Sequence, residues 1–281
     1  MKCLCLTVAL LILQPVYCQL LKKEGDIIVE VTSHTLAAGN QGTIASGPST
    51  VFYFSKSGSL LEKVHYAKLP DGTPDHAEVY TYNKSGLPQK MVTLETDASE
   101  RLKPVYETKY VYDRNGRLTD ASVYNAGKKS VVKNVTHEYD SIGNNVKSLV
   151  EPDCYLEKEY TKSNAIEAIR QIHADTLKWE SNFTYKDDFR TGTFSSRYNN
   201  GAPIINEEIK DNGQTLKRYT SSSSTDAKTK YYYDETGMLE KAEMYSYSAD
   251  DGYVLQSYTT VKVSGNVDQK LVKKINDQIM E

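Results

Sequence analysis

An aromatic pair at i and i+2, a polar turn, a Gly four residues after the second aromatic, then a Leu: this frame recurs from end to end of the chain. It is clearest in Tyr110-Val111-Tyr112-Asp113-Arg114-Asn115-Gly116-Arg117-Leu118. Further copies are Phe52-Tyr53-Phe54 with Gly58 and Leu60, Tyr80-Thr81-Tyr82 with Gly86, His137-Glu138-Tyr139 with Gly143, and Tyr231-Tyr232-Tyr233 with Gly237 and Leu239. Fainter ones run through Tyr160, Asn164 and Ile166, through Ile209 and Gly213, and through Val261, Gly265 and Val267. The clear glycines at 58, 86, 116 and 143 are 28, 30 and 27 residues apart. A fixed period in this range marks a repeat architecture built from one supersecondary unit.

Each copy reads as strand, tight turn, strand. Aromatics at i and i+2 share one face of a pleated strand, and Tyr, Phe, Val and Thr suit a half-buried pleated surface. Asp or Asn opens the turn by accepting hydrogen bonds from the backbone just ahead, and Gly closes it by supplying a positive φ. Asn164 takes the place of Gly in the fifth copy, being the next residue to tolerate that conformation. One hairpin cannot bury its aromatic face alone, so neighbours must pair. The expected fold is all-β: an antiparallel meander of repeated hairpins, either an open sheet or a solenoid.

Residues 110–118 closely match the Tyr-x-Tyr-Asp-x-x-Gly-Arg-Leu repeat, and 231–239 nearly as well. In this the chain resembles the YD-repeat proteins of the Rhs family, found among large bacterial secreted toxins and related animal cell-surface proteins. The resemblance covers roughly 52–267 as a degenerate pattern. It implies β-hairpins spiralling into a shell that serves as scaffold or casing.

Residues 1–18 read as a secretory leader: Lys2, an apolar stretch over 4–13, and Val16-Tyr17-Cys18 as the cleavage site before Gln19. The apolar run is shorter than the roughly 20 residues a membrane span needs, and no other segment qualifies. Lipid anchoring through Cys18 is disfavoured by Tyr17 and Pro15, so the expected location is secreted and extracellular. Cys3, Cys5 and Cys18 leave with the leader, and Cys154 alone remains as a candidate thiol for a disulfide-linked dimer. Losing Lys2 leaves 33 basic against 37 acidic side chains, a net charge of −4 with the signs interspersed. Nothing in that balance suits nucleic acid.

Four divisions follow: the leader at 1–18; a first strand and Gly/Ala/Ser-rich loop at 19–48, expected to shield the edge of the array; repeats over 49–267, degenerate at 157–228; and a helical cap at 268–281. In that cap Leu271, Ile275 and Ile279 share a face and Asp268 is the N-cap candidate. Residues 165–177 fit a helix by spacing, with Ile166, Ile169, Ile172 and Thr176 on one side. The repeat register favours strand.

The five His are scattered, and no metalloprotease, Cys-pair, nucleophile-elbow or phosphate-loop motif occurs. No catalytic residue, cofactor or metal site is expected. His137 reads as a substituted repeat aromatic, and Asp187-Asp188 and Asp250-Asp251 as solvated turn charge. Sequons place candidate glycosylation at Asn83, Asn134 and Asn182. The excess of Tyr, 22 against 5 Phe and 1 Trp, suits sheets that are only half covered. Tyr53 and Tyr232 lie opposite the main ladder and are the candidate exposed aromatics for binding. The expected role is that of a non-enzymatic structural, extracellular-matrix or surface-binding protein, its partner a polysaccharide or matrix polymer. The alternative is a carbohydrate-binding module or carbohydrate-active enzyme with two carboxylates on the sheet.

Overall fold

A computed structural model describes residues 27–36, 44–66, 73–128, 130–186, 189–196, 204–211, 214–220, 226–248 and 250–280. The leader with Cys18, most of the loop at 37–47, Asp187-Asp188, the Asn199-Asn200-Gly201 turn and residues 221–224 lie outside them.

The chain forms one 18-stranded sheet followed by a helix. The strands are β1 (Ile27–Leu36), β2 (Ile44–Phe54), β3 (Leu60–Tyr66), β4 (His76–Tyr82), β5 (Pro88–Thr96) and β6 (Leu102–Tyr112). Next come β7 (Leu118–Asn125), β8 (Val131–Tyr139), β9 (Asn145–Glu151), β10 (Cys154–Tyr160), β11 (Ile166–His173) and β12 (Thr176–Lys186). The last are β13 (Phe189–Ser196), β14 (Ile204–Asp211), β15 (Gln214–Thr220), β16 (Asp226–Tyr233), β17 (Leu239–Ser248) and β18 (Gly252–Ser264), before α1 (Gln269–Met280). Each strand runs antiparallel to the next, as a meander of hairpins requires. In addition β1 pairs with β18, Val29 opposite Val263 and Val31 opposite Val261, while its other edge pairs with β2. The first strand covers the edges of both β2 and β18: it joins the two ends of the meander, and the pairing runs in a ring. Main-chain groups left bare at both ends of the array satisfy each other there.

The repeat frame has a specific job in each hairpin. Asp113 Oδ1 accepts the backbone N–H groups of Asn115 at 2.8 Å and Arg117 at 2.9 Å, and the Asp113 N–H donates to the Arg117 carbonyl at 2.9 Å. Gly116 closes the turn at φ 77°. Asn83, Asp140 and Asp234 organise equivalent turns, while Ser55 and Thr161 do so through a hydroxyl. Asn164 takes φ 67° in place of Gly. The same turn also forms at Asp97, where Glu100 adopts φ 59°; lacking Gly, that copy is hidden in the sequence.

Beyond the turn the register slips by one residue. Val111 lies opposite Asp120 but Tyr112 lies opposite Leu118, so Thr119 forms a bulge. The same slip occurs at Phe54 and Leu60, at Tyr82 and Pro88, at Tyr139 and Asn145, at Tyr160 and Ile166, and at Tyr233 and Leu239. A bulge disrupts the local ladder, and the second aromatic of the following hairpin reaches a carbonyl there. Tyr82 donates to the Leu60 carbonyl, Tyr139 to that of Leu118 at 2.7 Å, and Tyr160 to that of Asn145 at 3.0 Å. Between residues 165 and 177 the strand reading holds: Ala174 and Asp175 at φ 48° and 55° make a tight hairpin turn that no helix could contain.

The two faces of the sheet pack differently. Ile27, Val29, Phe52, Phe54, Leu60 and Met238 form a buried cluster with Val272 and Ile275 of α1, defining the helix face. Asp268 caps α1, its Oδ1 accepting the Lys270 N–H at 3.0 Å. Asn276 clasps the β16–β17 turn, donating to the Gly237 carbonyl at 2.7 Å and accepting the Leu239 N–H at 3.1 Å. On the far face Val64, Ala77, Val92 and Leu94 form a second cluster with Tyr53, Tyr66, Val79 and Leu102 around it.

Candidate functional site

Directly opposed residues in an antiparallel pair share a face, so the registers can be read as rows across strands. On the far face, where the ring joins, one row runs Lys230, Glu243, Tyr258, His34 over β16, β17, β18 and β1. The row beside it runs Tyr232, Lys241, Thr260, Thr32. Three consecutive strands and the distant β1 thus bring tyrosines, an imidazole and paired charges into one patch.

Glu243 is its centre. The residue is 8% exposed, and its carboxylate takes the Lys241 ammonium at 2.6 Å on one oxygen and the hydroxyls of Tyr232 and Tyr245 on the other. Burial would raise its pKa, but these three donors outweigh burial and hold the carboxyl at about 2. The same contacts raise Lys241, led by the bond to Glu243, and raise Tyr245, led by burial. Lys241 Nζ lies 5.0 Å from the Tyr258 ring centroid and 5.9 Å from that of Tyr232. His34 stacks on Tyr258 with centroids 4.6 Å apart, and its Nε2 bonds Thr260 Oγ1 at 3.0 Å. The other ring nitrogen, Nδ1, is buried without a hydrogen-bond partner, as is the Oγ of Ser49, which sits opposite Thr32 on β2. Such groups are costly unless satisfied, and both lie beneath the surface, beside the patch's rings and charges.

Chemically the patch combines aromatic rings, a buried ion pair and two hydroxyls that donate to one carboxylate. An ionised carboxylate saturated with donors is a poor proton donor. Among the described residues no group of three or more ligating side chains is assembled for a metal.

Tyr232 belongs to this patch and Tyr53 to the adjoining far-face cluster; both are half-buried. Tyr232 spends its hydroxyl on Glu243. Tyr53 is raised in pKa by burial first and then by Tyr66, Glu62 and Glu30. Further along the same face a cleft of about 480 Å³ is lined by Glu107, Lys109, Tyr124, Asn125, Gly127 and Lys128, with Lys109 Nζ 4.8 Å from the Tyr124 centroid. Tyr124 does not stand out in the sequence as a site residue, because an aromatic ending the return strand recurs at Tyr66 and Tyr245. Glu243, Lys241, Tyr258 and His34 do not stand out either: the first three meet across the β17–β18 hairpin, and His34 joins them only through the ring closure.

Asn83 has its Oδ1 inside the turn it organises, while Asn134 and Asn182 are exposed on strands. Cys154 is a half-buried free thiol at the start of β10, its Sγ 3.4 Å from Gln171 Nε2. His137 stands at the repeat aromatic position and bonds Ser148 Oγ at 2.9 Å. Asp250 and Asp251 are exposed in the turn before β18.

No family model matches the chain, and no curated protein matches its sequence. Solved structures with a partial likeness include the TcdB2-TccC3-Cdc42 complex, at 12% identity and TM-score 0.34 over 81% of this chain and 15% of that one. The Photorhabdus luminescens Tc holotoxin pore gives 12% identity and TM-score 0.34 over 80% of this chain and 14% of that one. The chain thus spans about a seventh of these toxin chains. A porin-like protein from Bacteroides uniformis gives 10% identity and TM-score 0.40 over 84% of this chain and 96% of that one. Likeness at these values lends this chain neither a family nor an activity. No helix among the described residues is long and apolar enough to cross a membrane.

Proposed function

We propose that this chain is a secreted, non-enzymatic repeat protein with a structural or surface-binding role, and that its ligand is a polysaccharide or matrix polymer held on the far face. The observation that carries the reading is the Glu243 patch. It sets aromatic rings beside fixed charges on one face of the sheet. Sugar rings stack on tyrosine faces while their hydroxyls bond fixed polar groups. The Tyr124 cleft offers the same chemistry elsewhere on that face, and two weak contacts on one polymer gain affinity through effective concentration. Secretion rests on the leader-like residues 1–18.

Glycan arrays and polymer pull-downs on the purified chain test this, with Tyr124→Ala, Tyr232→Phe and Tyr53→Ala compared at equal far-UV circular dichroism. Retention of at least one polymer, reduced by Tyr124→Ala or Tyr232→Phe, is the expected result. Retention of none, or retention unchanged in all three variants, removes the ligand. Release of reducing ends from a bound polymer would move the reading to a carbohydrate-active enzyme.

A further inference from the structure

On the helix face, away from this patch, the registers of β2 to β5 set Thr50, His65, His76 and Glu95 in one cross-strand row. The two imidazoles stack at 4.0 Å between centroids with an interplanar angle of 20°. Each has its Nδ1 engaged. His65 Nδ1 meets Thr50 Oγ1 at 3.0 Å, and His76 Nδ1 meets Asp75 Oδ2 at 3.1 Å. The remaining ligand atom of each ring is Nε2. A histidine whose second nitrogen is fixed by a carboxylate or hydroxyl is oriented and made more basic, as in most biological metal sites.

A stacked aromatic pair would glue two strands equally well with Phe or Tyr. What distinguishes this pair is its setting. The His76 side chain is 38% exposed, so an ion can reach it, and Glu95 is an exposed carboxylate on a flexible stem one strand further along.

We propose that His65 and His76, joined by the Glu95 carboxylate, bind a divalent transition metal of the zinc and copper type, tying β3, β4 and β5 together across the sheet. Two imidazoles and a carboxylate suit zinc, copper or nickel over calcium or magnesium, which take oxygen ligands. The three are not drawn together beforehand: the stacked rings hold their Nε2 lone pairs side by side. On binding, the rings splay apart to turn both Nε2 atoms onto the ion, Glu95 swings in, and water completes the coordination. The site is independent of the polymer surface on the other face.

Zinc sulfate and copper sulfate titrated into the purified chain provide the test, read by calorimetry and by thermal melting. One saturable equivalent and a raised melting temperature are expected. H65Q or H76Q abolishes both, and D75N weakens binding about tenfold or more by releasing the His76 ring. H137Q and C154S bind as the parent does. Electron paramagnetic resonance of the copper-loaded parent gives a reading that needs no variant, and coupling to imidazole nitrogen is expected. No saturable binding, binding that survives in a folded H65Q/H76Q double variant, or a copper spectrum without imidazole coupling overturns the site.

Discussion

The hydroxyl of Tyr139 donates to the main-chain carbonyl of Leu118 at 2.7 Å, across the boundary between two hairpins. Leu118 stands at the bulge of its own hairpin, opposite Tyr112. Tyr139 is the second aromatic of the next. The two halves of the repeat frame thus complete each other one unit apart: the Gly-x-Leu end places a carbonyl at a bulge, and the Tyr of the following copy satisfies it. Tyr is needed at that position where Phe would serve for burial alone, because a ring must fill the face while an O–H reaches the backbone.

Replacing Tyr139 by Phe keeps the ring and removes only the donor. The expected cost is about 1 kcal/mol in urea unfolding, the usual net value of one hydrogen bond. Tyr82→Phe and Tyr160→Phe break the equivalent bonds to Leu60 and Asn145. Tyr139 and Tyr160 meet at Asn145 and can couple, whereas Tyr82 lies apart from Tyr139, so the Tyr82/Tyr139 double variant loses about 2 kcal/mol. Tyr106→Phe, at a ring 37% exposed, changes little. Equal stability of the Tyr139 and Tyr106 variants would mean that the inter-hairpin bond contributes nothing.

The all-β meander, the turns and the C-terminal helix are legible in the sequence because each rests on short-range chemistry. Asp or Asn opens a turn, Gly closes it, apolar residues follow at a fixed offset, and Asp268 stands three residues before Leu271. The ring is not legible. It depends on Val29 and Val31 meeting Val263 and Val261, and any valine-rich strand pair would read the same. The Glu243 patch is hidden in part for the same reason: Lys241 and Glu243 look like alternating surface charge until the β17–β18 register sets Tyr258 across from Glu243 and closure adds His34. Tyr232 illustrates the limit. Alternation correctly set it opposite Tyr231 and Tyr233, but could not tell that its hydroxyl is bound to Glu243.

Turn glycines separate backbone strain from packing. Gly116→Ala forces a Cβ onto φ 77°, while the nearest atom, Leu87 Cδ1, is a tolerable 3.5 Å away. The cost is therefore the conformational one, about 1 kcal/mol. Gly58→Ala adds a Cβ 3.1 Å from Leu271 Cδ2, so it also pushes on α1 and costs more. Glu100→Gly runs the other way: it relieves φ 59° and stabilises the chain by about 1 kcal/mol. Thermal melts of the three variants rank Glu100→Gly above the parent, then Gly116→Ala, then Gly58→Ala. A Gly58 variant as stable as that of Gly116 would show that α1 does not press on the β2–β3 turn.

The last prediction concerns acid. The Glu243 carboxyl falls from an ordinary value of 4.5 to about 2 in the folded chain, burial opposing the shift and Lys241, Tyr232 and Tyr245 producing it. A group whose folded pKa is depressed gives stability that is present above its unfolded pKa and lost as pH falls through the folded one. The contribution should thus be constant from pH 7 to about 5 and vanish between about 4.5 and 2. Glu243→Gln removes the titration and leaves the Lys241 ammonium without its ion pair, at a cost of about 2 kcal/mol near neutrality. Because the side chain is only 10% exposed, salt should screen this little. Urea midpoints of parent and variant, measured in parallel from pH 7 down to 2.5, should lie apart at neutral pH and converge in acid. A gap that stays constant to pH 2.5 would mean that Glu243 is not the titrating group; no gap at pH 7 would mean that its three donors add nothing to the fold.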